Sequence, residues 1–494
     1  MRLPQEPASR LVALVVAFAL SRVLLLVLTR SPGLYPFQDD PLEISVLARW
    51  GAAFADGGAG APLRDGPWEY PAGAAVVVVA PALLPGAPYV VGFVGQMLLW
   101  DLAALLVLAL LGLRRGTLAG AWLWVAVVPL LGPVALARFD VIPTALAVAG
   151  LAVASAAPVL AGGLLAGGAV VKLWPALLLL LLLLHRGRAR VLAGSVTVGL
   201  TTLAAVQAYG GTGQLLSFLT YQRDRGLEVE SLPALPLMLA RAYGDERMVV
   251  GFGFGSYQVD GPWAPVMLAV GTVGLAAVLA AGAALAWRAR RADPELAVPV
   301  VAVALMAGVL VFDKVLSAQY PLWLAGLVAL SLCRPDSPLR PTVAPLLGLL
   351  VLTQAVYPLA IQTLTTTTEP RPVLLLAARD LLLVVVAGLA TRAAWRLGSP
   401  QRPGPPQRVG SAPGSEQRVG ADEHGGKHRH RDGADHEHQL VQAPPLGQAG
   451  QRPDGREEHE VDPREGQQRS TGPHEHQRQR DAGPGVEPVR RSGP

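Results

Sequence analysis

The chain has 494 residues, of which 52% are hydrophobic and 16% charged, with a formal net charge of +5. Soluble globular proteins carry about 25% charged residues, so this balance excludes a soluble enzyme, and the single cysteine, Cys333, excludes a disulfide scaffold. The composition is also split: no aromatic residue follows Trp395, the last isoleucine is Ile361, and eight of the nine histidines lie at or beyond His424. The expected class is an all-α integral membrane protein with a disordered C-terminal tail. The expected division is a membrane domain over 1–396 and a cytoplasmic tail over 397–494.

A membrane-spanning helix needs roughly 20 apolar residues to cross a hydrocarbon core of about 30 Å. Residues 11–29 satisfy this and follow Arg2 and Arg10. No small-residue cleavage site follows them, so they read as a first helix rather than a removed leader, with a cytoplasmic N-terminus. A polar outer loop then runs over about 30–72. Within it 43–55 has helical apolar spacing at Ile44, Leu47, Ala48 and Phe54 and reads as a helix lying on the membrane surface. Apolar stretches follow at 73–85, 89–112, 118–136, 141–157, 160–171, 173–184 and 189–208. A second outer loop, 209–262, carries YQRDRGLEVES (221–231) and GFGFGSY (251–257). Further apolar stretches lie at 263–287, 296–312, 319–333, 341–360 and 373–391. The expectation is a bundle of about 10–13 transmembrane helices or half-helices.

Basic clusters occur at Arg2/Arg10, Arg114/Arg115, Arg186/Arg188/Arg190, Arg288/Arg290/Arg291, Arg334/Arg340 and Arg392/Arg396. The positive-inside rule places such clusters in the cytoplasm. All of them fall there if 73–85 is half-inserted and 160–184 is a hairpin of half-helices, which puts Arg138, Asp140 and Lys172 on the outer side. Twelve simple spans would instead place Arg114/Arg115 outside. The first arrangement is preferred. The tail holds 16 basic against 15 acidic residues from Arg392 onward, with no run of like charge and no aromatic interleaving. It therefore suggests no nucleic-acid partner, and such a composition does not offset its ordering entropy.

In so apolar a body, ionisable groups at membrane depth are costly and point to function. The body has two lysines, Lys172 in VVKLWPALLL and Lys314 in VFDKVLSAQYPLW, although arginine is abundant. An ammonium is a good point charge for phosphate, while a helix-end lysine can equally snorkel to headgroups. Asp313 reads as a neutralising neighbour of Lys314. Arg138 and Asp140 stand at the start of a helix marked by Pro143, where an Asp can also serve as a cap. Arg22 and Asp101 lie inside apolar stretches as a possible buried pair. The first outer loop collects Asp39, Asp40, Glu43, Asp65 and Glu69, any of which can take a proton from a hydroxyl. There is no GxxxxGK[ST] loop, HExxH, CxxC or GxSxG, so no metal site and no cofactor are expected.

Five segments in order, DGPWEYPAG (65–73), ARFDVIPTALA (137–147), VVKLWPALLLL (170–180), YQRDRGLEVESLP (221–233) and DKVLSAQYPLW (313–323), resemble the actinobacterial polyprenol-phosphate-mannose-dependent α-mannosyltransferases, family 87 of the glycosyltransferases. The resemblance covers about residues 10–391. It implies a GT-C-like helix bundle in the plasma membrane with an extracytoplasmic active site. It also implies a polyprenyl phosphate sugar donor, a glycolipid or lipoglycan acceptor, surrounding membrane lipids, and transfer with inversion. The implied base is an acid of the first outer loop. By residue type this is Asp40, with Asp39 next, whereas Glu43 is closest by its spacing to ISVLARW (44–50). For that chemistry the candidate substrate contacts are Glu69, Tyr70, Arg138, Asp140, Lys172, Arg225, Lys314, Gln319 and Tyr320. Cations among them would receive the leaving phosphate's charge, and the bond cleaved passes through an oxocarbenium-like state. A transporter or flippase of lipid-linked sugars would use similar intramembrane charges without a carboxylate base, but no inverted repeat is evident. A non-catalytic scaffold is the third reading.

Overall fold

The computed structural model describes residues 5–30, 42–58, 61–66, 68–183 and 187–398. The expected tail lies outside the described residues, and the body is all-helical apart from one small sheet. In chain order the helices are α1 (Gln5–Arg30), α2 (Leu42–Asp56), α3 (Ala74–Ala82), α4 (Tyr89–Arg114), α5 (Ala119–Leu131), α6 (Val134–Ala137), α7 (Val141–Val153), α8 (Pro158–Val171), α9 (Pro175–Leu183), α10 (Arg188–Tyr209), α11 (Ser217–Asp224) and α12 (Leu235–Ala242). There follow α13 (Ala264–Ala289), α14 (Pro294–Phe312), α15 (Pro321–Leu332), α16 (Val343–Gln354), α17 (Ile361–Thr366) and α18 (Pro370–Leu397).

Seven of the described helical segments are long and apolar enough to cross a membrane: Ser9–Thr29, Tyr89–Arg114, Arg188–Tyr209, Ala264–Ala289, Pro294–Phe312, Arg340–Thr366 and Pro370–Leu397. Shorter apolar helices, α5, α7, α8 and α15 among them, pack between these spans. A helix that is apolar all round is expected to be interior. Accordingly every residue of α15 is buried, as is nearly all of α14 from Ala297 to Val311. By contrast α1 turns Val12, Val15, Val16, Leu20, Val23 and Leu24 outward, and α13 exposes Val266, Val270 and Val273. On a membrane bundle these are lipid-facing sides. Small residues let α8 and α10 approach closely: a Cβ added at Gly162 would sit 2.0 Å from the Val191 carbonyl, and one at Gly194 1.9 Å from that of Val159.

Across the middle of the bundle, Arg22 and Asp101 meet. Arg22 Nε donates to Asp101 Oδ2 at 2.7 Å and Nη2 to Oδ1 at 2.9 Å. Nη1 donates to the Val125 carbonyl at 2.8 Å, and Trp124 Nε1 donates to Asp101 Oδ1 at 2.9 Å. The pair is buried and ties α1, α4 and α5 together with its polar atoms satisfied, as a charge pair at membrane depth requires.

The segment 209–262 is structured. Strands β1 (Leu227–Glu228), β2 (Val249–Gly253) and β3 (Ser256–Asp260) form an antiparallel sheet in the order β1-β3-β2. Phe254 and Gly255 make the two-residue turn between β2 and β3 with φ of 52° and 71°, the left-handed pair that this tight hairpin needs. Residues 234–241, mildly apolar in sequence, place Leu237 and Met238 of α12 in a core shared with Leu227, Val229, Val373 and Leu376. This segment also joins the first loop, where Ser217 Oγ donates to the Trp68 carbonyl at 3.1 Å.

Candidate active site

Helix breaks written in the sequence position the charged groups. Pro175 begins α9, a first-turn position that suits its fixed φ and missing N–H, and Lys172, three residues before it, is extended (φ −151°, ψ 128°) and caps the C-terminal end of α8. Gly132 at φ 80° ends α5, Arg138 is extended, and α7 starts at Val141 with Pro143 in its first turn. Asp313 ends α14 in extended backbone, and Pro321 starts α15. Three such breaks bring Asp140, Lys172 and the 313–320 connection to one end of the bundle.

There Lys172 Nζ donates to both carboxylate oxygens of Asp140, at 2.7 and 2.8 Å. Trp323 Nε1 donates to Asp140 Oδ1 at 2.8 Å. Asp140 stands at the head of α7, but its side chain makes no cap bond, so its carboxylate is committed to the lysine and the indole. Helix polarity favours both charges, the anion at an N-terminus and the cation at a C-terminus. The ammonium lies 4.9 Å from the centre of the Tyr320 ring, 5.5 Å from Trp323 and 5.6 Å from Phe139. Tyr320 stacks on Trp323 at 4.0 Å, Trp323 on Trp174 at 5.3 Å, and Tyr70 meets Phe139 edge-on at 4.9 Å. The aromatic wall continues from Tyr70 through Trp68 to Trp50 and Phe54 of α2.

The second loop supplies the rim. Arg225 Nη2 donates to Ser256 Oγ at 2.9 Å and lies 3.8 Å from Glu228 Oε2. Glu228 and Glu230 are both buried, and Arg138 is close enough to act on both electrostatically. Glu69 is near Tyr221 and Arg225; burial raises its carboxyl pKa and those two neighbours oppose the rise. Burial likewise raises Glu228 against the pull of Arg225 and Arg138. Buried polar atoms without a hydrogen-bond partner include Trp174 Nε1, Arg225 Nε and Gln319 Oε1. Buried polar groups are normally paired, so these are groups to which a ligand hydroxyl or phosphate oxygen can bind.

Of the residues the sequence singles out, Tyr70, Asp140, Lys172 and Tyr320 form one contiguous cluster, with Glu69, Arg138 and Arg225 around it. Lys314 is placed differently: its Nζ donates to the carbonyls of Arg223 at 2.9 Å and Arg225 at 2.6 Å. It anchors the second loop to the end of α14, and Asp313, rather than bridging to it, accepts from the Val315 N–H at 3.1 Å. Gln319 is buried beside Tyr320. Asp39 and Asp40 lie outside the described residues, as does the side chain of Glu43, whose backbone belongs to α2. Among the described residues no group of three or more His, Cys, Asp or Glu is placed to hold a metal ion.

Sequence reasoning missed Phe139, Glu228 and Glu230. In LEVES (227–231) the acids alternate with Leu227 and Val229, whose side chains are core; that alternation is the available signal of a covered segment. It also missed a buried group behind the site. Arg379 of α18 pairs with Asp380 at 2.6 Å, lies 3.6 Å from Glu230 Oε1 and donates to the Glu230 carbonyl. An Arg–Asp pair inside the apolar run of 373–391 was the signal there.

No curated protein and no solved structure matches the chain. Residues 68–313, which include the Glu69–Tyr70, Arg138–Asp140, Lys172 and Arg225–Glu230 parts of the cluster, match the family model for glycosyltransferase family 87, and on a bundle with seven helices able to cross a membrane this match indicates a membrane glycosyltransferase.

Proposed function

We propose that the protein moves a sugar, mannose, from a polyprenyl phosphate carrier to a hydroxyl of a glycolipid or glycan acceptor at the outer face of the plasma membrane. The observation that carries this reading is the Lys172–Asp140 pair set in an aromatic wall, with Arg138 and Arg225 beside it. An ammonium has three N–H donors; two are used on Asp140, and the third is free for a phosphate oxygen. With two guanidiniums nearby, the leaving phosphate's charge is received by groups already held in place. The wall of Tyr70, Trp174, Tyr320 and Trp323 suits the apolar face of a sugar or the first isoprene units.

In the reaction the acceptor oxygen attacks C1 as the C1–O bond to phosphate breaks. The bonding pair leaves on the polyprenyl phosphate. The acceptor proton passes to a carboxylate of the first outer loop, Asp40, with Asp39 and Glu43 as the other candidates. Glu69 holds the acceptor hydroxyl. The opposite end of the bundle, rich in arginine, faces the cytoplasm.

The test is transfer by the purified full chain in lipid nanodiscs, given polyprenyl phosphomannose and a mannolipid acceptor. Mass spectrometry should show the acceptor gaining one hexose, and Asp40→Ala should abolish the gain while the protein still inserts. Unchanged activity in Asp39→Ala, Asp40→Ala and Glu43→Ala would overturn the assignment of the base. Transfer only from arabinosyl or glucosyl carriers would overturn the choice of sugar.

A further inference from the structure

Helices α7, α9, α14 and α15 each present one end to the site just described, through Asp140, Trp174, Asp313 and Tyr320. Their other ends meet at a second feature, an open cavity of about 740 Å³. Its size falls within the range of about 300–1,000 Å³ typical of ligand sites. Its apolar lining includes Leu151 of α7, Leu182 of α9, Val298 of α14 and Leu330 of α15. Among the described residues its charged lining is three arginines, Arg115, Arg290 and Arg291, against one glutamate, Glu295.

These charges are not equally engaged. Glu295 is taken by Arg115. The nearby Asp293 is taken by Arg334. Arg290 lies over the Trp287 ring at 3.8 Å and donates to the Trp287 carbonyl at 2.7 Å, through Nη1. Both Arg290 and Arg291 remain exposed at the mouth. The cavity thus carries net positive charge beside apolar side chains, at one end of the bundle. A free inorganic anion would leave the apolar walls wet. A zwitterionic headgroup would bring its own cation against the arginines.

We propose that this cavity binds one anionic glycerophospholipid, its phosphodiester on Arg290 and Arg291 and the upper part of an acyl chain along Leu151, Leu182 and Leu330. Guanidinium forks suit phosphate oxygens, and basic pockets between transmembrane helices are recognised headgroup sites. The site is independent of the sugar chemistry at the other end.

The test uses the full chain in nanodiscs and native mass spectrometry, with phosphatidylglycerol and phosphatidylcholine as the two probes. Wild-type protein should retain one phosphatidylglycerol and release phosphatidylcholine. The variant Arg290→Ala/Arg291→Ala should lose roughly tenfold or more in phosphatidylglycerol retention, at about 1 kcal/mol per basic residue. Arg392→Ala/Arg396→Ala removes two exposed arginines of α18 outside the cavity and should leave retention unchanged. Equal retention of the two lipids, an unaffected cavity variant, or equal losses in both double variants would each overturn the proposal. Displacement of the lipid by glycerol phosphate alone would also overturn it, because the apolar walls would then contribute nothing.

Discussion

Lys172 and Asp140, 32 positions apart in the chain, share two hydrogen bonds of 2.7 and 2.8 Å, and Asp140 takes a third from Trp323. Removing one partner leaves the other charge buried and uncompensated, which costs about 3–5 kcal/mol. Lys172→Ala and Asp140→Ala should therefore each lower the thermal midpoint in detergent and abolish transfer. The double variant Lys172→Met/Asp140→Leu should recover most of the midpoint and none of the transfer. A double variant that is both stable and active would reduce the pair to a structural staple and sink its role in binding phosphate.

Arg22 and Asp101 form the contrasting case, a buried pair in mid-bundle with no part in the site. Asp101→Ala strands Arg22 among α1, α4 and α5, again at about 3–5 kcal/mol. The double replacement Arg22→Leu/Asp101→Leu should restore stability and, unlike the Lys172–Asp140 double, keep transfer near the wild-type rate. The check is to run thermal unfolding and transfer on the same preparations of both doubles. Loss of transfer in a stable Arg22/Asp101 double would show that the two ends of the bundle are coupled through this pair.

These pairs show what the sequence could and could not reveal. Charge is so scarce in the body that Arg22, Asp101, Asp140 and Lys172 stand out individually, and apolar run lengths locate the helices to within a few residues. Which charge meets which depends on how helices pack. Nothing in local periodicity records that Arg22 reaches Asp101 or that Lys172 reaches Asp140. The same scarcity argument applies to Arg379 and Asp380, whose adjacent opposite charges look self-neutral in sequence. Glu228 and Glu230 were illegible for another reason. A segment reading YQRDRGLEVES resembles a solvated loop until the sheet and α12 cover it. Lys314 stood out for its residue type, yet its use on two carbonyls of the second loop depends on tertiary placement.

Glu230 should give the protein a pH-dependent stability. It shares one guanidinium, Arg379, with Asp380, so one carboxyl in the group is in excess. Burial lifts Glu230 from 4.5 to about 8 against the pull of Arg379. The folded protein thus holds a proton that the unfolded chain has already released. That contribution is fully present below about pH 4.5 and is lost as pH rises through about 8. Wild-type thermal midpoints should fall between pH 5 and 8, and Glu230→Gln, which keeps the neutral form throughout, should fall less steeply there, retaining only the slope from the other buried carboxyls such as Glu69 and Glu228. Parallel pH profiles for the two proteins would refute the assignment.

Lys314 offers the test of how the second loop is held. Its ammonium reaches across from the end of α14 to the carbonyls of Arg223 and Arg225, and Arg225 in turn extends to Ser256 and Glu228. A hydrogen bond to a charged group contributes about 1.5–3 kcal/mol. Lys314→Met should therefore raise local opening of 221–231 by roughly ten- to a hundredfold, read as faster amide hydrogen exchange in that segment. Exchange in α4 and α14 should stay as it was, because the bundle core does not depend on this contact. If Arg225 binds the donor phosphate as proposed, transfer should weaken through a higher KM for the donor, because Arg225 shifts while Lys172 and Asp140 remain in place. Unchanged exchange at 221–231 with a lost kcat would place Lys314 on the substrate instead of the loop.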